Sequence, residues 1–424
     1  MLGRTPVDKA SGLFKGAEPG QPPRFRYRDL YYITHIGNIP SILKHGILSH
    51  NQIQEQGIKD YIHIYNDDVV LRRKSKLTSD GLSLWNYTNL YLQPRNAMLY
   101  VVEKTIGLEN IAILSCYVDD AKENSGALIT DGNAASDPTN FFPISEMDRV
   151  RGNELKDVDG LEYWNGQDGT RRKMMAEVLI PNKYASSKIH SILVPNQMVK
   201  DKVEKLIGKN LNDIKIIIEP FTFFQSDVIS ELKRNFTLVK GDMFFSGYHT
   251  LTVSVNTKGV MGKGLASRAK YQFPDVYVKY QDACKNKSLT LGHPVLYKRE
   301  ISLDLQLADD PAMFPNPNNF TWFLLFATKD DWKNPASKDG IIKGLKWLIE
   351  NYKSEGIKSL AIPALGCGLG WLEWKEIGPI LCQYLYKLDI PVQLYIPAER
   401  PIPPEQLTKE FLLGSGYSKN NNKN

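Results

Sequence analysis

The rhythm of apolar and polar positions changes near the middle of the chain. In the first half, short apolar runs stand among irregular stretches. LYYIT (30–34), MLYVVE (98–103), IAILSCYV (111–118), AEVLIP (176–181), HSILVP (190–195) and IKIIIEP (214–220) read as strands. IPSILKH (39–45) reads as a short helix, capped by Asn38 and ended by Gly46, and QMVKDKVEKLIG (197–208) as an amphipathic one. This predicts a mixed α/β domain with irregular loops. In the second half strand and helix alternate. The strands are TLTVSVN (250–256), FLLFAT (323–328), SLAIPAL (359–365) and VQLYIP (392–397). The helices are LASRAKYQF (265–273), KDGIIKGLKWLIENY (338–352) and KEIGPILCQYLYKL (375–388). Such alternation predicts a largely parallel sheet with helices on both faces, and ligands beyond the C-terminal strand ends.

A boundary is expected near IIIEPFTFFQSD (216–227), where Ser226 or Asp227 is placed to cap a helix over VISELKR (228–234). The expected organisation is a flexible Pro- and Gly-rich segment over 1–23, one domain over 24–220, a second over 221–413, and a disordered polar tail over 414–424.

The 424 residues suffice for two or three domains, and 42% hydrophobic content is that of a globular protein. No apolar run approaches membrane-spanning length, so no membrane association is expected. Four cysteines without a C-x-x-C pair fit a reduced, cytoplasmic protein. Seven histidines show no metal-ligand spacing, and no metal is expected. Net charge is only +6, yet RFRYR (24–28), LRRKSK (71–76) and TRRKM (170–174) concentrate basic groups in the first half. Such clusters, interleaved with aromatics, suit single-stranded nucleic acid, the alternative being a solvated face.

The densest chemical signal is VNTKGVMGKGLASRAK (255–270). It is not a triphosphate P-loop, since two residues rather than four separate Gly259 from Gly262 and Gly264 follows Lys263. Strand, glycine loop and helix N-terminus nonetheless aim N–H groups at a phosphate. An ordinary glycine-rich turn is the competing reading. A second glycine loop, GCGLGWLEW (366–374), also follows a strand, and the two can form the walls of one cleft.

KGDMF (240–244), VNTKGVMGKGLA (255–266), FATKDDW (326–332) and PALGCGLGWLEW (363–374) occur in the order found in macrodomains. Over about 236–395 the chain resembles the DarG antitoxin type, an α/β/α macrodomain that removes ADP-ribose from DNA. The resemblance implies ADP-ribose as ligand and product. Asp242 and Met243 would meet the adenine end, and Asn256 the distal ribose. Gly259, Val260, Met261, Gly262, Lys263 and Gly264 would wrap the diphosphate and distal ribose. Gly366, Cys367, Gly368, Leu369 and Gly370 would form the other wall, and Thr328 would lie beside Lys329. Lys329 matches the catalytic lysine. Trp371 stands where the family usually has glycine.

LYYITHIGNIPSIL (30–43), NLYLQPRNAMLYVV (89–102) and RRKMMAEVLIP (171–181) resemble DarT, a toxin that transfers ADP-ribose from NAD to DNA, over about 27–220. The resemblance implies that Thr34, His35, Asn38, Tyr91 and Arg95 bind NAD, with Arg95 and Glu177 catalytic. Tyr32 and NLYL (89–92) depart from the usual pattern. Together the halves are expected to form a toxin–antitoxin fusion: an ADP-ribosyltransferase fold that modifies a base in single-stranded DNA, with thymidine the leading acceptor, then a macrodomain that reverses it. Guanine or RNA as acceptor, or a silent transferase joined to an ADP-ribose reader, are the alternatives. A block of the transferase by contact with the macrodomain is a further reading left open.

Overall fold

The computed structural model describes residues 28–65, 67–208, 214–309, 320–397 and 401–414. The segment expected to be flexible (1–23), RFRYR apart from Arg28, and the tail beyond Gly414 lie outside the described residues. The chain folds as two bodies. One holds the described residues up to Gln225 together with the excursion Arg299–Thr321, and the other holds Ser226–Lys298 and the described residues from Trp322 onward.

The first body is built on an eight-stranded sheet. Its order is Lys215–Ile218, Ile189–Val194, Ile111–Tyr117, Asp29–His35, Tyr87–Tyr91, Glu177–Pro181, Leu128–Thr130 and Phe141–Pro143. Only the first pair is parallel. Central strands are almost wholly buried, as continuous apolar runs require. MLYVVE departs from its strand reading: it lies in the helix Ala97–Ile106. Asn96 caps that helix by accepting from the Leu99 N–H at 3.0 Å. Burial of Leu99, Tyr100, Val101, Val102 and Glu103 together erases the helical period from the sequence.

The second body holds a seven-stranded sheet in the order Asp227–Lys233, Phe236–Lys240, Val392–Tyr395, Leu360–Pro363, Thr250–Asn256, Trp322–Lys329 and Val295–Tyr297. The five inner strands are parallel and the two edges antiparallel. The long helix Lys338–Glu355 and the helix Trp374–Leu385 pack into its core through Ile341, Leu345, Leu348, Ile377 and Leu381. VISELKR is not a helix; it forms an irregular edge strand that turns back at Arg234–Asn235 onto Phe236–Lys240. Its β-branched pair Val228 and Ile229 suits that role.

The excursion Arg299–Thr321 lies between two paired strands of the second sheet, Val295–Tyr297 and Trp322–Lys329, but its described residues, 299–309 and 320–321, belong to the first body. Its helix Leu303–Leu307 buries Leu303, Leu307 and Ala308 behind it. Trp164 donates its indole N–H to the Leu307 carbonyl at 2.8 Å, and Arg171 donates to the Ala308 carbonyl at 2.7 Å. The domain expected over 221–413 is therefore interrupted, because the Leu307 and Ala308 carbonyls find their donors in the first body.

Candidate active sites

In the first body Glu177 begins its strand directly opposite Tyr91. Its side chain is fully buried. A buried carboxylate needs partners, and three donors serve it. Arg73 donates Nη1 to Oε1 at 3.2 Å and Nη2 to Oε2 at 3.1 Å, and the Ala134 N–H reaches Oε1 at 3.0 Å. The Glu177 backbone N–H donates to Thr130 Oγ1 at 2.8 Å, which fixes the strand end from which the carboxylate projects. Burial opposes the Arg73 charge, but the Glu177 carboxylate outweighs it and the guanidinium is held above its ordinary pKa. The fork fixes the plane of the carboxylate.

Arg95 and Glu177 are the two residues expected to be catalytic; the arginine that pairs with the Glu177 carboxylate is Arg73. Arg95 has no exposed surface. It donates Nε to the Glu162 carbonyl at 3.2 Å and Nη1 to the Phe221 carbonyl, with its guanidinium 4.2 Å from the Phe221 ring centroid and 4.4 Å from that of Phe224. Those bonds tie the 220s turn to the body. Arg73 lies 104 residues before Glu177; its only signal in the sequence was membership of the cluster LRRKSK.

Thr34 and His35 end the strand Asp29–His35. His35 Nδ1 accepts from the Gly37 N–H at 2.9 Å, so the neutral ring carries its proton on Nε2. Burial lowers the His35 pKa and favours that neutral form. Asn38 does not cap the following helix with its side chain. It instead clamps residue 62, accepting from the Ile62 N–H at 2.8 Å and donating to the Ile62 carbonyl at 2.9 Å, and it also donates to Thr34 Oγ1 at 3.3 Å. This anchors an aromatic group that the sequence did not single out. Tyr61 tilts over His63, Tyr65 meets His63 edge-on, and His50 stacks on Trp85. Burial pushes the Tyr32 phenol up to about 12, with Tyr61 and Arg73 in electrostatic reach. Burial, then Glu177, raises the Tyr91 phenol further, so both hydroxyls remain proton donors.

The other basic cluster serves internal contacts. Arg172 pairs with Asp131 at 2.9 Å and Lys173 with Asp157 at 2.9 Å. These contacts support the body's own loops and weaken the reading of TRRKM as a nucleic-acid track.

In the second body the C-terminal strand ends carry the expected groups. Asp242 accepts from the Phe244 N–H at 3.1 Å and pairs with Arg268 at 2.8 Å, while Met243 is buried behind it. Asn256 is used to shape the first glycine loop. It donates to the Val260 carbonyl at 2.7 Å, accepts from the Lys258 N–H at 2.8 Å, and receives the Tyr280 hydroxyl at 2.9 Å. Val260 is exposed and Met261 is buried, so Gly259–Gly264 is pinned at one residue and open at the other. Lys263 precedes the helix Gly264–Gln272 without a side-chain cap. Gly264 has φ 60°, which glycine adopts readily.

The second loop is packed tightly. Gly366 has φ 83°, and a Cβ there would stand 2.6 Å from Leu372 and 2.9 Å from Ile341. Cys367 and Gly368 follow, and the Gly370 carbonyl accepts from the Ala336 N–H at 2.9 Å. Thr328 holds Ser254 at 3.0 Å. Lys329 ends the strand Trp322–Lys329 in register with Asn256. Its ammonium donates to the Leu369 carbonyl at 2.9 Å, and burial lowers its pKa. Lys329 thus sits between the first loop, through the Asn256 strand end, and the second, through Leu369. Among the described residues no cluster of three or more His, Cys, Asp or Glu is placed to hold a metal, and no helix is long and apolar enough to cross a membrane.

The family model described as "ssDNA thymidine ADP-ribosyltransferase, DarT" matches residues 31–225. A DNA ADP-ribosyl transferase–DNA ADP-ribosyl glycohydrolase fusion protein of Thermosipho africanus is 51% identical over 391 residues, 92% of this chain and 99% of its own length. The solved structure of Thermosipho africanus DarTG in complex with ADP-ribose superposes with a TM-score of 0.85, covering 91% of this chain and 100% of that one. A DNA ADP-ribosyl glycohydrolase of Thermus aquaticus is 32% identical over 164 residues, 38% of this chain and 41% of that relative. With a relative this similar over almost its whole length, the chain belongs to the family of DarT–DarG fusion proteins.

Proposed function

We propose that the first body transfers ADP-ribose from NAD to thymidine in single-stranded DNA and that the second hydrolyses it off again. The observation that carries this is the end-to-end likeness to the Thermosipho fusion protein, with an acidic and a lysine centre in the two bodies. NAD is a consumed substrate. The bond between ribose C1 and nicotinamide nitrogen breaks, and nicotinamide leaves with the bonding pair. Positive charge gathers at C1, and the Glu177 carboxylate stabilises it. The acceptor base attacks C1 and gives its proton to Glu177. Arg73 and the Ala134 N–H hold the carboxylate in the plane this requires. His35 Nε2–H is a donor for NAD, and Tyr61 and Tyr65 offer aromatic faces for a planar ring.

In the second body the glycine loops supply N–H donors for the diphosphate. Water replaces the base at C1, and the base departs with a proton. Lys329 acts there by attack on C1, which needs the neutral amine, or by polarising the leaving base, which needs the ammonium; burial lowers its pKa and so shifts the balance toward the first role. Writer and eraser on one chain make a toxin–antitoxin unit whose net modification stays low. A cytoplasmic setting fits four cysteines that are all free thiols.

The test is mass spectrometry of a thymine-containing oligonucleotide incubated with NAD and the Lys329→Ala chain. One added ADP-ribose on thymine is expected. Modification confined to guanine or to RNA would move the acceptor, and an unmodified oligonucleotide would leave an ADP-ribose reader joined to a silent transferase.

A further inference from the structure

The second glycine loop ends on a residue that its backbone does not favour. Trp371 has φ 63° and ψ 6°, the left-handed region, where a bulky side chain is uncommon. Glycine is the residue expected at such a position. The conformation is enforced locally, by the Trp371 N–H on the Gly368 carbonyl at 3.0 Å and the Leu372 N–H on the Gly366 carbonyl at 3.0 Å. The indole gains little burial in return, since 63% of its surface is exposed. A strained backbone and an exposed tryptophan are both unfavourable to the fold alone, and coincident outliers of this kind point to use by a ligand.

The position says which ligand. The Lys329 ammonium lies 6.0 Å from the centroid of the Trp371 ring, and the same ammonium donates to the Leu369 carbonyl two residues earlier in the loop. Leu369 is itself 57% exposed. An open aromatic face therefore stands next to the amine placed at the scissile bond. The group that must lie beside that amine on the side away from the ADP-ribose cradle is the leaving group, and in modified DNA it is a planar nucleobase. Every base has a face that stacks on indole. Resting on the reading of the second body as the eraser, we infer that Trp371 is the platform on which the ADP-ribosylated base stacks, and that it sets the preference of this cleft for nucleobase-linked ADP-ribose.

The test uses the full chain carrying Glu177→Ala, so that no new modification forms, and an oligonucleotide already ADP-ribosylated on thymine. Trp371→Gly relieves the backbone, so the loop keeps its shape. The variant is expected to raise the KM for the modified oligonucleotide about tenfold, the worth of one base–aromatic stack, with kcat and the Kd for free ADP-ribose unchanged. Trp371→Phe is expected to restore most of the KM. An unchanged KM in Trp371→Gly would overturn the inference. So would a parallel loss of ADP-ribose affinity, which would make Trp371 a wall of the cradle instead. Failure of the Glu177→Ala parent to release any ADP-ribose would strike the eraser reading itself, a distinct outcome.

Discussion

The Tyr100 hydroxyl donates to the Asp304 carboxylate at 2.5 Å, across 204 residues of sequence. Tyr100 is buried, and its phenol is held well above its ordinary pKa by burial and then by Asp304. The bond ties a helix of the transferase body to a segment encoded between two strands of the other sheet.

Fragments of the transferase body should therefore depend on that segment. A chain ending at Gln225 loses the cover of Leu303, Leu307 and Ala308 and leaves Tyr100 and Trp164 without these acceptors. It is expected to melt well below the transferase transition of the full chain, or to aggregate. Within the full chain, Leu307→Asp places a charge in a fully buried site and should cost several kcal/mol. Tyr100→Phe should cost about 1.5–3 kcal/mol, as for a hydrogen bond to a charged group. Calorimetry of each variant reads these effects, and a fragment that melts like the full chain would make the packing incidental.

Arg73 and Arg95 should fail in different ways. Arg73→Ala removes the fork that orients Glu177; it leaves a buried carboxylate without its cation and so costs stability too, but transfer per folded molecule should fall about 100-fold or more. Arg73→Lys should rescue little, because a single ammonium cannot hold both oxygens. Arg95→Ala takes these donors from the Glu162 and Phe221 carbonyls and opens a void between two rings, so its main loss should be in stability. Transfer normalised to folded protein separates them. Full activity per folded molecule in Arg73→Ala would remove it from the mechanism.

These two arginines show where the sequence was legible. Glu177, Lys329 and the glycine loops sit at strand ends in apolar runs, where local pattern places them. Four of the five parallel inner strands and three of their helices were readable for the same reason, whereas the strand Phe236–Lys240 and the helix Pro274–Lys285 were not read. Arg73 was not, because a basic cluster looks alike whether its side chains point to solvent or to a carboxylate 104 residues away. MLYVVE hid its helical period because its neighbours bury nearly every side. VISELKR has no local preference strong enough to resist pairing as an edge strand. The excursion Arg299–Thr321 was invisible since its partners lie 137 to 204 residues away.

His50 should make the transferase body acid-sensitive. It stacks on Trp85 and meets Tyr65 edge-on, and its pKa is lowered to about 4 by burial, then by Arg73 and His63. The unfolded chain takes up this proton near pH 6.5 and the folded one only near pH 4. Protons therefore favour unfolding across that window, and stability falls as pH drops through it, by at most about 3 kcal/mol from this group. Thermal melts from pH 7 to pH 4 should show a steeper loss in the parent than in His50→Phe, which keeps the stack without the titration. Parallel slopes would assign the acid sensitivity to other groups.

Changes at Lys329 and Gly262 should separate chemistry from binding in the second body. Lys329→Ala removes the amine between the two loops but leaves the N–H cradle, so ADP-ribose should bind as before while release from DNA is lost. A Cβ at Gly262 would meet no heavy atom within 4 Å beyond its chain neighbours, and the Gly262 φ lies outside the left-handed region, so a side chain is accommodated without unfolding the loop. Gly262→Glu then places a carboxylate where the diphosphate belongs and should abolish both binding and release. If the neutral amine is the working form, release by the parent should rise with pH and level off below the ordinary lysine range, since burial lowers the Lys329 pKa. Titration calorimetry with ADP-ribose reads the first half and a gel assay on modified oligonucleotide the second. Release at the parent rate by Lys329→Ala would show that another group does the work, and tight ADP-ribose binding by Gly262→Glu would place the diphosphate elsewhere.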